Sequence, residues 1–273
     1  MEKLEYTFMT DTLAKRLFVK HPLLLQKLVS QLLRIPFDNI GYFAVTNPEM
    51  PPESLGDKYC RFDIHMIVDD RRVELELQIE NQGNYPERTL FHWARDYSSA
   101  LPAGKDYREL PQVIVISIIS FSLFDCEEYH SEFMALEVDR YTPLSDKFVL
   151  HFFEVQKLPI QIDPDDRLVL WLSLFRAKTE EELRIIEEME VPEVSEAIEA
   201  YRTISVSPEF KEVERLRTKA RHDEAQAMLQ ATLIERRAIA TKALGEGIEP
   251  GVIARLTGLT VDEVVSLKKT VIE

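Results

Sequence analysis

Carboxylate and amide side chains recur at every second position of one segment. Glu74, Glu76, Gln78, Glu80 and Gln82 follow one another at this spacing, and apolar residues alternate with the first four. Because successive side chains of a strand point to opposite faces, these polar groups would share one face of a sheet. Stacked carboxylates repel one another unless a cation lies between them, and Mg²⁺ prefers carboxylate oxygens. The pattern therefore fits a divalent-metal site, but a solvent-facing amphipathic hairpin would show the same alternation.

The preceding segment predicts the partner strand. Residues 61–68 alternate polar and apolar side chains, and the polar residues 69–72 have the length of a hairpin turn. The apolar face of this hairpin is expected to pack on a helix, and it combines the following residues: Phe62, Ile64, Met66, Val68, Val73, Leu75, Leu77 and Ile79.

The register of the hairpin decides which polar groups meet. With the turn at residues 70 and 71, Asp63 lies opposite Gln78, and His65 lies opposite Glu76. Side chains that are directly or diagonally opposite on one face lie within reach of one another. We therefore expect Asp63, Glu76 and Gln78 to converge. His65 shares their face and could assist proton transfer, although a spectator role is the simpler interpretation.

A second Glu-X-Gln sequence, Glu80-Asn81-Gln82, competes with Glu76-Leu77-Gln78 for the same role. We prefer Glu76 because it lies near the middle of the predicted strand, where the apolar face is continuous. Glu74 and Glu80 are then interpreted as solvated acids.

These residues resemble a known nuclease motif. Asp63 followed by Glu76-Leu77-Gln78 is similar to the Asp and (Asp/Glu)-X-Lys motif of PD-(D/E)XK nucleases. More narrowly, the chain resembles the Rpn family of recombination-promoting nucleases, also described as transposases, in which Gln often replaces the motif lysine. The resemblance covers roughly residues 8–160 and includes Thr10-Asp11-Thr12, Phe18, Arg61-Phe62-Asp63-Ile64, Arg88, Trp93, Tyr97, Gly104-Lys105-Asp106-Tyr107, Phe152-Phe153-Glu154-Val155 and Lys157.

The resemblance implies DNA cleavage with Mg²⁺ or Mn²⁺. Asp63 and Glu76 would hold the ion, which would activate water and stabilise charge on the phosphate. Gln78 would position the water or the phosphate, but it cannot supply the positive charge of the motif lysine. Asp11 is a further candidate ligand, although an acid in a first helical turn is favoured by the helix dipole without any metal.

Candidate DNA contacts lie on two helical segments. Arg88 and Arg95 are seven residues apart on a predicted helix over 87–101 and share a face. They would meet the phosphate backbone, or else pair with Glu87, Asp96 or the hairpin acids.

Residues 248–269 resemble a helix-turn-helix, with a capping box formed by Thr260 and Glu263. This segment is interpreted either as a helical hairpin that packs on the body or a partner, or as a DNA contact through Arg255, Lys268 and Lys269.

The order of elements predicts an α/β fold, with a mixed sheet flanked by helices and followed by a mostly helical C-terminal region. The resemblance implies that this fold is of the PD-(D/E)XK restriction-endonuclease type. Pro22 is expected to split a helical stretch over residues 10–34. Strands are predicted at 40–46, 61–68, 73–80, 111–119, 133–138 and 148–155, and helices at 165–190 and 192–244. The expected domains are a nuclease-like domain at 1–160, a helical extension at 161–245 and a helix-turn-helix-like segment at 246–273.

Composition sets the remaining expectations. The net charge of −15 argues against a protein that coats nucleic acid, since non-specific phosphate binding needs Lys and Arg. The two cysteines form no disulfide framework, and neither a leader nor an apolar run of about 18 residues is evident, so we expect a cytoplasmic protein without membrane contact.

Besides an endonuclease, the sequence allows a non-catalytic DNA-binding or regulatory protein that retains the nuclease fold, or an oligomeric interaction protein, with a homodimer as the expected assembly. Cleavage specificity, substrate structure, strand transfer and biological role stay open.

Overall fold

The computed structural model describes residues 2–47, 64–101 and 104–271. The chain forms two compact units, Met1–Lys211 and Glu212–Glu273. The first combines a sheet with helices and the second is helical. The boundary between the units does not coincide with the boundary predicted at residue 160, because the helices that follow this residue share the core of the first unit.

The first unit follows the predicted order of elements closely. Pro22 occupies the first turn of the second helix and confirms the predicted split. The elements are α1 (Asp11–Lys20), α2 (Pro22–Leu32), β1 (Phe43–Val45), β2 (Ile64–Val68), β3 (Arg71–Gln78), α3 (Tyr85–Ser99), β4 (Val113–Ile119), β5 (His130–Met134), β6 (Phe148–Glu154), α4 (Arg167–Arg176), α5 (Glu180–Glu187) and α6 (Pro192–Ser205).

Within the described residues, the strands form one mixed sheet of six strands in the order β1-β2-β3-β4-β6-β5. β3 pairs in parallel with β4, and β4 pairs in parallel with β6, whereas the outer pairs are antiparallel. Every residue of β4 is buried, as its continuous β-branched sequence predicts for a strand covered on both faces. The α/β class and the mixed sheet flanked by helices are confirmed.

The hairpin register differs from the prediction by two residues. His65 pairs with Glu74 and Ile64 with Leu75, so the prediction that His65 lies opposite Glu76 is wrong. The turn consists of Asp69 and Asp70 because Asp69 takes a left-handed backbone conformation (φ 56°), which aspartate tolerates better than most residues. A shift of two residues keeps each side chain on its predicted face. The predicted partner of Gln78, Asp63, lies outside the described residues.

The two sheet faces carry separate cores. The apolar face of the hairpin packs with α1, α2 and α4–α6, and the prediction is confirmed for Ile64, Met66, Val68, Val73 and Leu75. Ile79 is different, because it follows the end of β3 and is 55% exposed. The opposite face is covered by α3 and by the loop after β4 through Tyr85, Trp93, Phe121, Leu123 and Phe124.

One strand begins earlier than its sequence indicates. The segment predicted at 133–138 is observed at His130–Met134. The polar residues His130, Ser131 and Glu132 hide the strand signal, yet all three pair with β6. This extension of β5 brings two histidines into contact.

The second unit is a small helical assembly. It contains most of α7 (Pro208–Gly245), together with α8 (Pro250–Thr257) and α9 (Val261–Val271). Gly258 ends α8 in a left-handed conformation, and the Thr260–Glu263 capping box is present as predicted. Its core is formed by Ala240, Ile253, Ala254, Leu259 and Val264. No helix in the described residues is long and apolar enough to cross a bilayer.

Helix α2 offers a test of the core. We expect Leu28→Ala, at a fully buried position, to lower the free energy of unfolding by about 2–5 kcal/mol, since the change leaves a cavity. The control is Leu23→Ala on the same helix, where the side chain is 52% exposed and a change within about 0.5 kcal/mol is expected. Urea unfolding followed by circular dichroism measures both. Equal effects would contradict the packing of α2.

Candidate active site

Glu76 lies on a central strand and is buried. β3 runs between β2 and β4, and Glu76 pairs with Ser117 of β4 on the face covered by α3. Glu74, two residues earlier, shares this face, and each of the two glutamates is only 2% exposed. The interpretation of Glu74 as a solvated acid is therefore wrong. Two buried carboxylates at neighbouring positions of one strand face strongly favour a nearby positive charge.

Arg88 brings a positive charge to Glu76. Its Nη2 atom donates to Oε1 of Glu76 at 3.2 Å and to Oε1 of Gln78 at 2.7 Å. Gln78 is held in this orientation because its amide nitrogen donates to the carbonyl oxygen of Glu80 at 2.9 Å. The guanidinium lies over the ring of Tyr85, 4.8 Å from its centroid, which adds a cation–π contact. The side chain of Arg88 therefore links α3 to Glu76 and Gln78 of β3.

Tyr85 is buried at the start of α3, beside this network. Burial raises its pKa well above the usual value, and the negative charge of Glu76 raises it further. Tyr85 therefore stays protonated at neutral pH and keeps a hydroxyl proton that it can donate. Neither Tyr85 nor Ser117 was identified from the sequence, because their contribution depends on the crossing of α3 over β3 and β4.

His65 lies near the second buried glutamate. Its Nε2 atom is 4.0 Å from Oε1 of Glu74. Burial is the largest cause of its lowered pKa, and Lys15, Arg72 and Arg95 lower the pKa further, whereas Asp96 raises it. His65 is therefore mostly neutral at pH 7, so it offsets little of the charge on Glu74.

The donor atoms at this site fit a hard divalent ion. Glu74 and Glu76 supply carboxylate oxygens and Gln78 supplies an amide oxygen, all on one strand face, and such oxygens are the ligands that Mg²⁺ prefers. A bound ion would share Glu76 with the guanidinium of Arg88. The residues are thus chemically suited to Mg²⁺ or Mn²⁺.

The other sequence-predicted residues are distributed over several elements. Asp11 begins α1, where its Oδ1 accepts a hydrogen bond from the backbone N–H of Thr12 at 2.8 Å. Arg95 is exposed on α3, and Arg255 is exposed on α8 of the second unit. Glu80 is exposed in the loop after β3, so the competing Glu-X-Gln sequence lies off the strand. Lys268 and Lys269 belong to α9, but their side chains, like the whole of Asp63, lie outside the described residues.

A second polar group lies on the opposite face of the sheet. His130 and Glu132 on β5 and His151 on β6 place one potential ligand atom each within 4.8 Å of the others. The pKa of each histidine is lowered to about 4, chiefly by burial. The sequence contained a weak signal, since His130 and Glu132 alternate as on one strand face, but their partner is remote in the chain.

The fold and the sheet face that carries Glu76 together define a class of protein. A mixed sheet whose central strand carries a Glu-X-Gln sequence with a buried glutamate, under a crossing helix, is the arrangement of a nuclease-type α/β domain. Residues 8–231 match the family model described as PD-(D/E)XK nuclease family transposase, and the chain belongs to this family. Searches of the curated proteins and of the solved structures returned no significant match.

Stability measurements test the contact between α3 and β3. We expect Arg88→Gln to lower the free energy of unfolding by about 1–3 kcal/mol, because it removes a charged partner of a buried carboxylate. Arg95→Gln, on the same helix but exposed, should change it by less than about 0.5 kcal/mol. Adding Glu76→Gln to Arg88→Gln should recover part of the loss, which a double-mutant cycle measures. Strict additivity would contradict a direct interaction.

Proposed function

We propose that this protein is a Mg²⁺-dependent DNA endonuclease of the Rpn type, associated with recombination or transposition. The proposal is carried by one observation, the bridging of Glu76 and Gln78 by Nη2 of Arg88 on the motif strand. Membership of a nuclease family transposase group supports the reaction class and DNA as the substrate.

Arg88 supplies the positive charge that the motif glutamine lacks. A lysine at position 78 would place its ammonium beside Glu76, and the guanidinium of Arg88 reaches the same place from α3. Arginine stays charged at all relevant pH values. Nη1 of Arg88 donates one hydrogen bond to Oε1 of Gln82 at 3.4 Å, and its second proton could bind a phosphate oxygen. In this proposal Arg88 binds and orients the scissile phosphate, while Gln78 holds Arg88 in position.

Glu76 and Asp63 are the proposed metal ligands, with Asp11 as a further candidate. A bound Mg²⁺ or Mn²⁺ would supply Lewis-acid stabilisation of the phosphate charge. Glu76 is fixed for this role by its place on a central strand and by its contact with Arg88. The protonated hydroxyl of Tyr85 is available to donate a hydrogen bond beside it.

Exposed cations on other elements are proposed to contact the phosphate backbone. Arg95 is exposed two helical turns after Arg88, and Arg255 is exposed on α8. With Lys268 and Lys269, these residues would supply local positive charge to an acidic protein.

A non-catalytic DNA-binding protein is the second candidate, and a specific observation favours it. The side chain of Arg88 is 16% exposed and already bonded to Glu76, so it can neutralise this carboxylate without a metal. A fixed internal ion pair of this kind would keep the fold intact after loss of activity. Cleavage assays separate the two candidates.

Nicking of supercoiled plasmid in Mg²⁺, and separately in Mn²⁺, tests the proposed activity. We expect Glu76→Ala and Asp63→Ala to reduce cleavage at least about a hundredfold, since each removes a proposed metal ligand. The matched control is Glu80→Ala, which alters the exposed glutamate of the competing Glu-X-Gln sequence and should leave cleavage unchanged. Absence of cleavage by the unmodified protein in both metals would favour the non-catalytic candidate.

Moving the positive charge from residue 88 to residue 78 tests the role of Arg88. We expect Arg88→Gln to reduce cleavage about a hundredfold, as for loss of a preorganised donor to a reacting group. Introducing Gln78→Lys into Arg88→Gln should restore part of the activity, because it returns a cation next to Glu76. Arg88→Gln with Gln78→Met is the control without a cation. If Arg88→Gln cleaves normally while folded, Arg88 serves stability alone.

A further inference from the structure

The β5–β6 edge of the sheet carries a group of potential metal ligands remote from Glu76. Antiparallel pairing places Glu132 opposite His151 and His130 opposite Phe153, so the three polar side chains share one face. His151 pairs with Ile116, which in turn pairs with Leu75, the neighbour of Glu76 on β3. Because adjacent residues of a strand point to opposite faces, the sheet separates this group from Glu76.

The two imidazoles are already at the spacing of metal ligands. Nε2 of His130 and Nδ1 of His151 are 3.0 Å apart. Two nitrogens at about 2.0–2.1 Å from one tetrahedral Zn²⁺ are separated by roughly 3.3 Å, so only a small opening of the pair is needed. A carboxylate oxygen of Glu132 lies within 4.8 Å of a ring nitrogen of each histidine. Two imidazoles and one carboxylate form a ligand set that zinc sites use.

The surrounding residues fix the rings and leave one side open. The ring of His130 stacks on Phe153 with centroids 4.4 Å apart and planes within 6° of parallel. His151 is buried, His130 is half-buried and Glu132 is exposed, so a bound ion would meet solvent on the side of Glu132. Such a site keeps a coordination position for water or another ligand.

Arg34 determines which ring nitrogen of His130 carries the proton when no metal is bound. Its Nη2 atom is 3.4 Å from Nδ1 of His130. A guanidinium can only donate, so Nδ1 accepts and the proton of His130 lies on Nε2, which donates to His151. Binding of an ion at Nε2 would move this proton to Nδ1 and displace Arg34. Arg34 therefore competes with the ion, both through this contact and through its charge.

We propose that His130, Glu132 and His151 form a binding site for a late first-row divalent cation of the Zn²⁺ type. Nitrogen ligands favour Zn²⁺ over Mg²⁺, so this site and the oxygen-rich site at Glu76 select different ions. The proposal does not depend on the proposed nuclease activity.

Zinc titration of the full chain, in excess Mg²⁺ and followed by calorimetry, tests the site. We expect about one Zn²⁺ per chain and a loss of affinity of at least about tenfold in His130→Ala and in Glu132→Gln, since each removes a ligand. These positions are half-buried and exposed, so both variants should fold, and circular dichroism verifies this. His222→Ala, which removes an exposed histidine from α7, is the matched control and should bind Zn²⁺ normally. Glu76→Gln should also bind normally.

Two further measurements make the outcome decisive. Arg34→Ala should bind Zn²⁺ more tightly than the unmodified chain, because it removes a competing charge. Co²⁺ bound in place of Zn²⁺ should give the visible absorption of a tetrahedral ion, and His130→Ala should abolish it. If Zn²⁺ does not bind, or binds equally to His130→Ala and the unmodified chain, the histidines only tie the edge strand to the sheet and the proposal is wrong.

Discussion

The burial of Glu76 is the constraint on which the rest of the site depends. A carboxylate withdrawn from water on a central strand is strongly unfavourable unless a charge or hydrogen bonds compensate for it. Arg88 provides part of this compensation at 3.2 Å, and the same Nη2 atom holds Gln78 at 2.7 Å. The position of α3 is therefore tied electrostatically to the strand that it covers. A second buried glutamate, Glu74, adds to the negative potential that a divalent ion would offset.

The β3-α3-β4 unit makes this arrangement possible. β3 and β4 are parallel, so the chain must cross from one end of the sheet to the other, and α3 makes this crossing over the face that carries Glu76. Tyr85 begins the helix beneath the guanidinium of Arg88, and Trp93 donates from its indole nitrogen to the carbonyl oxygen of Val113 at 3.0 Å. One face of the sheet thus combines apolar residues that pack against α3 with the charged contact between Arg88 and Glu76. The other face packs against the larger hydrophobic core.

The faces of the hairpin were predictable from the sequence, whereas its register and partners were not. Alternation alone separates Val73 and Leu75 from Glu74 and Glu76, because the period of a strand is two. The register depended on which residue adopts the left-handed turn conformation, and Asp69 rather than Arg71 lies in the turn. The contact of Arg88 with Gln78 and that of His130 with His151 join segments whose relative placement only the packed sheet defines. The position of Asp63 stays a prediction.

The most direct test of the central claim is a crystal structure of the full chain with Mn²⁺, in which anomalous scattering locates the ion. We predict a peak within direct bonding distance of a Glu76 carboxylate oxygen, with Asp63 as a second ligand and Arg88 still in contact with Gln78. The peak should be missing in Glu76→Gln. Crystals of a preparation that cleaves DNA with Mn²⁺ but shows no peak at Glu76, or a peak at the histidine cluster alone, would contradict the account.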